Sequence, residues 1–118
     1  MVFGTPGGDA QDQWALQFFL NVVDFKMGLQ EAIDSPSFFT GHFPSSFYPR
    51  EAVMGTVFAE EGIGLEELIR LQERGHILSI MKDDSNGQVT AVAFNRETGA
   101  IEGAASAKGD GQAYAMGW

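Results

Sequence analysis

The chain has 118 residues, the length of one domain or a piece of one, and its 44% hydrophobic content with 10 Phe offers enough apolar surface to offset the entropy of ordering. A net charge of −9, with seven scattered Lys and Arg, excludes a nucleic-acid backbone as partner, and the absence of Cys excludes disulfides and thiolate metal sites. The most apolar stretch, residues 14–27, is broken by Gln17, Asn21, Asp24 and Lys26, and no leader opens the chain, so no membrane span is expected and the chain as given reads as cytoplasmic.

Taken in order, Val2, Phe3 and Gly4 read as the end of a short strand, followed by the turn Gly4-Thr5-Pro6-Gly7-Gly8. A helix should start near Asp9 or Asp12, whose carboxylates suit the free N–H groups and positive dipole of a first turn. Apolar residues then cover most of its circumference as far as Met27, which predicts packing on two or more sides, and Gly28 is expected to end it. A short helix follows over residues 29–34. Residues 37–40, 46–48 and 53–58 read as short strands broken by Pro44 and Pro49. The amphipathic stretch 65–74 predicts a helix with Leu65, Leu68, Ile69 and Gln72 on one face and Gly75 as its stop. Strands are expected at 77–81, 89–94 and 101–107, joined by a hairpin at Asn86-Gly87 and a turn around Glu97-Thr98-Gly99, giving an antiparallel meander. Gly103, Ala104, Ala105, Ser106 and Ala107 make the last strand small enough for close packing against another layer. The order of elements is that of an α+β fold with a mainly antiparallel sheet and packed helices, and residues 1–118 read as a single domain.

One motif speaks of chemistry. Glycines between a strand and a helix start let backbone N–H groups approach a ligand, and the helix dipole favours negative charge. Donors preorganised in this way stabilise an oxyanion by roughly 2.7–4 kcal/mol each in acyl transfer. The same pattern also makes a plain tight turn. No Lys follows at Walker spacing, which argues against nucleotide binding.

The run FGTPGGDAQDQWALQFFLNVVDF, followed by LQEAIDSPSF and HFPSSFYPR, closely resembles the γ-glutamyltransferase (γ-glutamyltranspeptidase) family, near the C-terminal end of the small catalytic subunit. The likeness continues through Glu73-Arg74-Gly75-His76 to the tail of residues 113–118. It is strongest to the bacterial branch that includes acylase-like members. The resemblance implies part of an N-terminal nucleophile hydrolase αββα sandwich. It also implies an acyl-enzyme mechanism in which the freed N-terminal threonine of the small subunit attacks a γ-glutamyl carbonyl, with its own amine as base. On that resemblance Gly7 and Gly8 are the oxyanion donors. The family's threonine and most of its substrate clamp precede the glycine turn, so this chain is expected to carry no catalytic nucleophile and to be inactive alone. Two positions depart from the family pattern: Phe39 stands where relatives often carry His, and Ala105-Ser106-Ala107-Lys108-Gly109 replaces a more usual Asn-Pro-Arg-Gly.

Other chemistry-bearing residues read as structural. His42 sits in a turn, and His76 beside a helix end suits a cation at the negative dipole. Two histidines without clustered acids make no metal site, and no cofactor is expected. Asp83 and Asp84 belong to a solvated turn rather than an acid–base pair or a calcium loop. Ser45 and Ser46 have no base at a recognisable spacing. Phe38, Phe39, Phe43, Phe47 and Tyr48 are read as core filling rather than a binding groove.

Two readings of function follow. The first is a fragment of a γ-glutamyltransferase-like enzyme that needs a complementary chain for the missing half. The second is a stand-alone, non-catalytic interaction protein or homo-oligomer derived from the enzyme. A small-ligand binder using Gly7 and Gly8 as an anion nest is a third. In the first two, open sheet edges and the apolar helix call for self-association or a partner chain, with neither nucleic acid nor membrane involved.

Overall fold

In the computed structural model, which describes residues 1–82 and 87–108, six short strands form two three-stranded sheets. The first contains β1 (Val2–Gly4), β5 (Thr90–Phe94) and β6 (Ile101–Ala105) in the order β1-β5-β6. The second contains β2 (Phe38–Thr40), β3 (Thr56–Glu60) and β4 (Ile77–Met81) in the order β2-β3-β4. All pairs are antiparallel except β3 with β4. That pair runs parallel because α3 (Leu65–Glu73) carries the chain from the end of β3 back to the start of β4.

This corrects the meander. β5 and β6 pair as expected around the Glu97–Gly99 turn, where Asn95 Oδ1 accepts the N–H groups of Glu97 and Thr98. β4 and β5, however, belong to different sheets, so the segment between them is a crossing and not a hairpin. Asp83, Asp84 and Asn86 themselves lie outside the described residues, as does the tail from Gly109.

The helices also depart from the sequence reading in detail. A short 3₁₀ turn at Gly8–Ala10 precedes α1 (Gln11–Val23), whose N-cap is Ala10 without any side-chain cap bond. Asp9 therefore does not cap the helix, although Asp12 does lie in its first turn. α1 stops at Val23, where the Lys26 ammonium bonds the Val23 carbonyl and Lys26 itself turns the chain at φ 60°. Gly28 does not end α1; it caps the start of α2 (Leu29–Asp34), with Glu31 Oε2 accepting the Gly28 N–H. Of the expected face of α3 only Leu68 is buried, and Leu65, Ile69 and Gln72 stand exposed. Residues 46–48 form no strand, and β3 begins only after Gly55, at φ 74°, has closed the preceding turn.

Two apolar cores result. α1 and α2 cover the first sheet through Phe18, Leu29, Ala32, Ile33, Val89, Ala91 and Ala104. The small residues of β6 are what let α2 lie against it. Val57, Ala59 and Leu68 form a second cluster under α3. Between the two lies a buried ion pair: Lys108 Nζ is 2.8 Å from Oε2 of Glu60, whose side chain has no solvent exposure. The packing of α1 falls short of the sequence expectation. Only Trp14 and Phe18 are buried along it, and Leu16, Phe19 and Val23 form an outward apolar stripe. Among the described residues, no helix is long and apolar enough to cross a membrane.

Candidate functional site

The glycine turn of residues 4–8 sits at the end of β1, with Gly7 at φ 133° and Gly8 at φ 57°. Gly7 has no substitute here, because a Cβ built on it would lie 2.1 Å from Cζ3 of Trp14. The chain thus crosses directly over the indole, and Gly87 touches the same ring from another segment, its own would-be Cβ 3.1 Å from Cγ. The Gly7 carbonyl accepts the Ala10 N–H, while the N–H groups of Gly7 and Gly8 make no hydrogen bond among the described residues. Two unpaired amide donors therefore remain at the mouth of the turn.

That turn borders a cavity of about 620 Å³, a size that suits a small organic ligand. Its wall is aromatic: Trp14, Phe39 and Phe58 on one side, Phe43 and Phe47 on the other. Phe39 stacks on Phe58 with ring centroids 4.7 Å apart, and Trp14 meets Phe39 edge-on at 5.6 Å. Phe43 and Phe47 stand 82% and 65% exposed, and Tyr48 beyond them is 95% exposed. The core-filling reading of this aromatic run is thereby corrected. Only Phe39 is packed, because the loop that follows β2 leaves the sheet before its rings can reach either core.

Asp9 holds that loop against the turn. Its carboxylate accepts the Ser46 N–H at 2.7 Å, the Ser45 hydroxyl at 3.1 Å and the Ser46 hydroxyl. The bonds from Ser46 are the main cause of its lowered pKa; desolvation opposes them, and the Ser45 bond adds a lesser lowering. Such a carboxylate is a weak base, and the two serine hydroxyls are spent on it. Ser45 and Ser46 thus anchor the loop, a role the sequence did not reveal. Thr5 donates its hydroxyl to the Pro6 carbonyl at 2.8 Å.

The opposite wall is set by an amide ladder that spacing alone did not reveal. Gln13 donates to the Thr40 carbonyl at 3.1 Å and accepts the Thr40 N–H at 2.8 Å. Gln17, one helical turn on, does the same with Phe38, at 2.8 and 3.1 Å. The pair imitates a neighbouring strand along the free edge of β2 and fixes Phe39 beside Trp14. Gln30 treats Ala105 of β6 in the same way. A helical pair four apart is visible in sequence, but which edge it meets is a tertiary fact.

The histidines come together away from the glycine turn. His42 and His76 stack with centroids 6.4 Å apart and planes 11° from parallel, and neither lines the cavity. Among the described residues no group of three or more His, Cys, Asp or Glu could hold a metal ion. Of the two departures noted in sequence, Phe39 has become part of the aromatic wall. Lys108 is the partner of Glu60, which also accepts the Ser37 N–H at 2.7 Å just ahead of β2.

The family model described as gamma-glutamyltranspeptidase matches residues 1–116. A glutathione hydrolase-like YwrD proenzyme of Bacillus subtilis (strain 168) is 29% identical over 118 residues, covering 98% of this chain and 21% of the relative. A solved structure of LmbA2991 superposes with a TM-score of 0.84 at 41% identity, over 90% of this chain and 19% of that one. The γ-glutamyltranspeptidase of Pseudomonas nitroreducens, complexed with L-DON, superposes with a TM-score of 0.71 at 23% identity, over 98% of this chain and 55% of that one. The chain thus spans between about a fifth and about half of these proteins.

Proposed function

The chain belongs to the γ-glutamyltranspeptidase family, and we propose that it supplies the oxyanion-stabilising part of an acyl-transfer site whose attacking threonine comes from a complementary chain. The two sheets and their helices are those of the N-terminal nucleophile hydrolase architecture of its γ-glutamyltranspeptidase neighbours. Residues 1–118 would then be one domain, the C-terminal portion of a small subunit.

The observation that carries this reading is the pair of N–H groups at Gly7 and Gly8, two residues lining a cavity, which make no hydrogen bond among the described residues. As a carbonyl carbon turns tetrahedral, its oxygen gains charge, and fixed amide dipoles favour that state over the ground state. The serine and threonine hydroxyls nearest the glycine turn are already engaged, and the carboxylate that meets the serines is held as a weak base. Ser45 and Ser46 are bound by Asp9, and Thr5 by Pro6. In the family reaction the acyl group is γ-glutamyl and passes to water or an amino acid, and this chain alone would not turn over.

A partner is supported by the bare stripe Leu16, Phe19 and Val23 on α1, exposed by 57%, 41% and 38%. Such a surface calls for cover. The rival reading, a non-catalytic homo-oligomer, covers the same stripe with a second copy.

The test is hydrolysis of a γ-glutamyl anilide by the chain alone, and by the chain co-expressed with the threonine-bearing remainder of a relative. Turnover only in the pair is the expected result. Turnover by the chain alone refutes the incomplete-site reading. A stable self-assembly that neither binds the remainder nor turns over favours the interaction protein.

A further inference from the structure

The wall of the glycine-turn cavity has a charge character that acyl transfer by itself does not require. None of its lining residues is Lys, Arg or His. Two are acidic, and they differ: the Asp9 carboxylate is saturated by Ser45 and Ser46, whereas that of Glu51 has no hydrogen bond or ion pair among the described residues. The rest of the wall presents aromatic rings. Phe39 and Phe58 are committed to each other, but Phe43 and Phe47 at the mouth make no ring contact among the described residues. Aromatic faces carry negative potential, and a molecule with a net charge of −9 adds to it. A carboxylate entering this space meets no Lys, Arg or His on the wall, only neutral donors such as the two glycine amides and the Trp14 indole N–H. A protonated amine meets open ring faces and an unpaired carboxylate.

We infer that this cavity takes an apolar organic ammonium ion, its aromatic or branched alkyl body against Phe43 and Phe47 and its charged amine toward Glu51. This rests on reading the glycine-turn cavity as the reaction site and adds to that reading the chemical class of the ligand. The aromatic body covers rings that otherwise stand in water. The amine gains cation–π attraction together with a counter-ion, a combination used elsewhere to recognise ammonium groups. Gly7 and Gly8 are left free for a carbonyl oxygen, so the two recognition elements do not compete.

The experiment uses the full 118-residue chain carrying Trp118→Phe, so that Trp14 is the sole indole. Its fluorescence is followed at constant ionic strength while phenethylamine, benzyl alcohol or phenylacetate is added. Phenethylamine is expected to bind about tenfold more tightly than phenylacetate, with the alcohol between them. Glu51→Gln should bring the amine to within about twofold of the alcohol. Glu61→Gln, which removes the same charge from an exposed residue outside the wall, should leave the order intact. Equal or tighter binding of phenylacetate overturns the inference. So does an equal effect of the two glutamine substitutions, which would trace the preference to net charge, and so does the absence of any saturable response. Amine binding without turnover in the complemented pair would remove the acyl-transfer reading alone. Turnover without amine preference would remove only the inference drawn from the wall.

Discussion

Lys108 reaches back 48 positions in sequence to Glu60, placing its ammonium 2.8 Å from a carboxylate that has no contact with solvent. The pair joins the segment after β6 to the end of β3, and Glu60 also holds the Ser37 N–H ahead of β2. One buried charge thus ties both sheets and the entrance to the cavity wall. Isolated in the interior, either partner would be costly, so removing one is far worse than never having had the pair.

Lys108→Met is accordingly expected to destabilise the chain by about 3–5 kcal/mol, measured by urea denaturation. Lys108→Arg should lose much less, because a guanidinium keeps the charge and the hydrogen bonds. A neutral result for the methionine variant would mean that Glu60 finds water or another donor.

Gly7→Ala should be poorly tolerated, since it combines a backbone at φ 133° with a Cβ that would sit 2.1 Å from the Trp14 ring. A loss of at least about 1–3 kcal/mol is expected, accompanied by a change in Trp14 fluorescence. Gly4→Ala, with open space around the added methyl, should change stability by less than about 1 kcal/mol. Similar behaviour of the two variants would contradict the close crossing of turn and indole.

Gln13→Ala leaves the N–H and carbonyl of part-buried Thr40 without partners, at a cost of about 1–3 kcal/mol. Native-state hydrogen exchange at Thr40 should accelerate, while exchange in β5 stays unchanged. Gln13→Glu should also weaken the edge, because a carboxylate accepts the Thr40 N–H but cannot donate to its carbonyl. Unaltered Thr40 exchange in both variants would show that the amide ladder is dispensable.

The Asp9 clasp has a defined response to acid. Its pKa is held below the ordinary 3.8, first by the bonds from Ser46. A carboxyl with lowered folded pKa stabilises the folded arrangement above its ordinary range and loses that effect as pH falls through the lowered value. The amide resonance of Ser46 should therefore hold its position from neutral pH to about 3.8 and move only in stronger acid. Asp9→Asn should shift it at every pH. A midpoint above the ordinary value would reverse the assignment.

Much of the secondary structure was legible because it depends on neighbours in sequence. The α3 stretch ends at Gly75 as expected, and the Glu97–Gly99 turn joins β5 to β6. The glycine turn was visible too, since Gly7 and Gly8 stand between a strand and a helix. What escaped depends on distant partners. Asp9 looked like a helix cap because a carboxylate before a helix usually is one, but two serines some 36 positions on compete for it and win. Phe43 and Phe47 looked like core because Phe usually is, and only the path of their loop exposes them. A β4–β5 hairpin was expected because a turn signal at Asn86-Gly87 reads alike whether the next strand joins the same sheet or another, and these two strands lie in different sheets.

The indole of Trp14 is gripped between two glycines 80 positions apart in sequence, Gly7 and Gly87. Neither segment has a side chain to yield, so the flat ring acts as a rigid gauge block that sets the spacing between them. A methyl group added at either glycine would have to push the ring toward the other segment, so the two backbones can keep this spacing only while both stay bare.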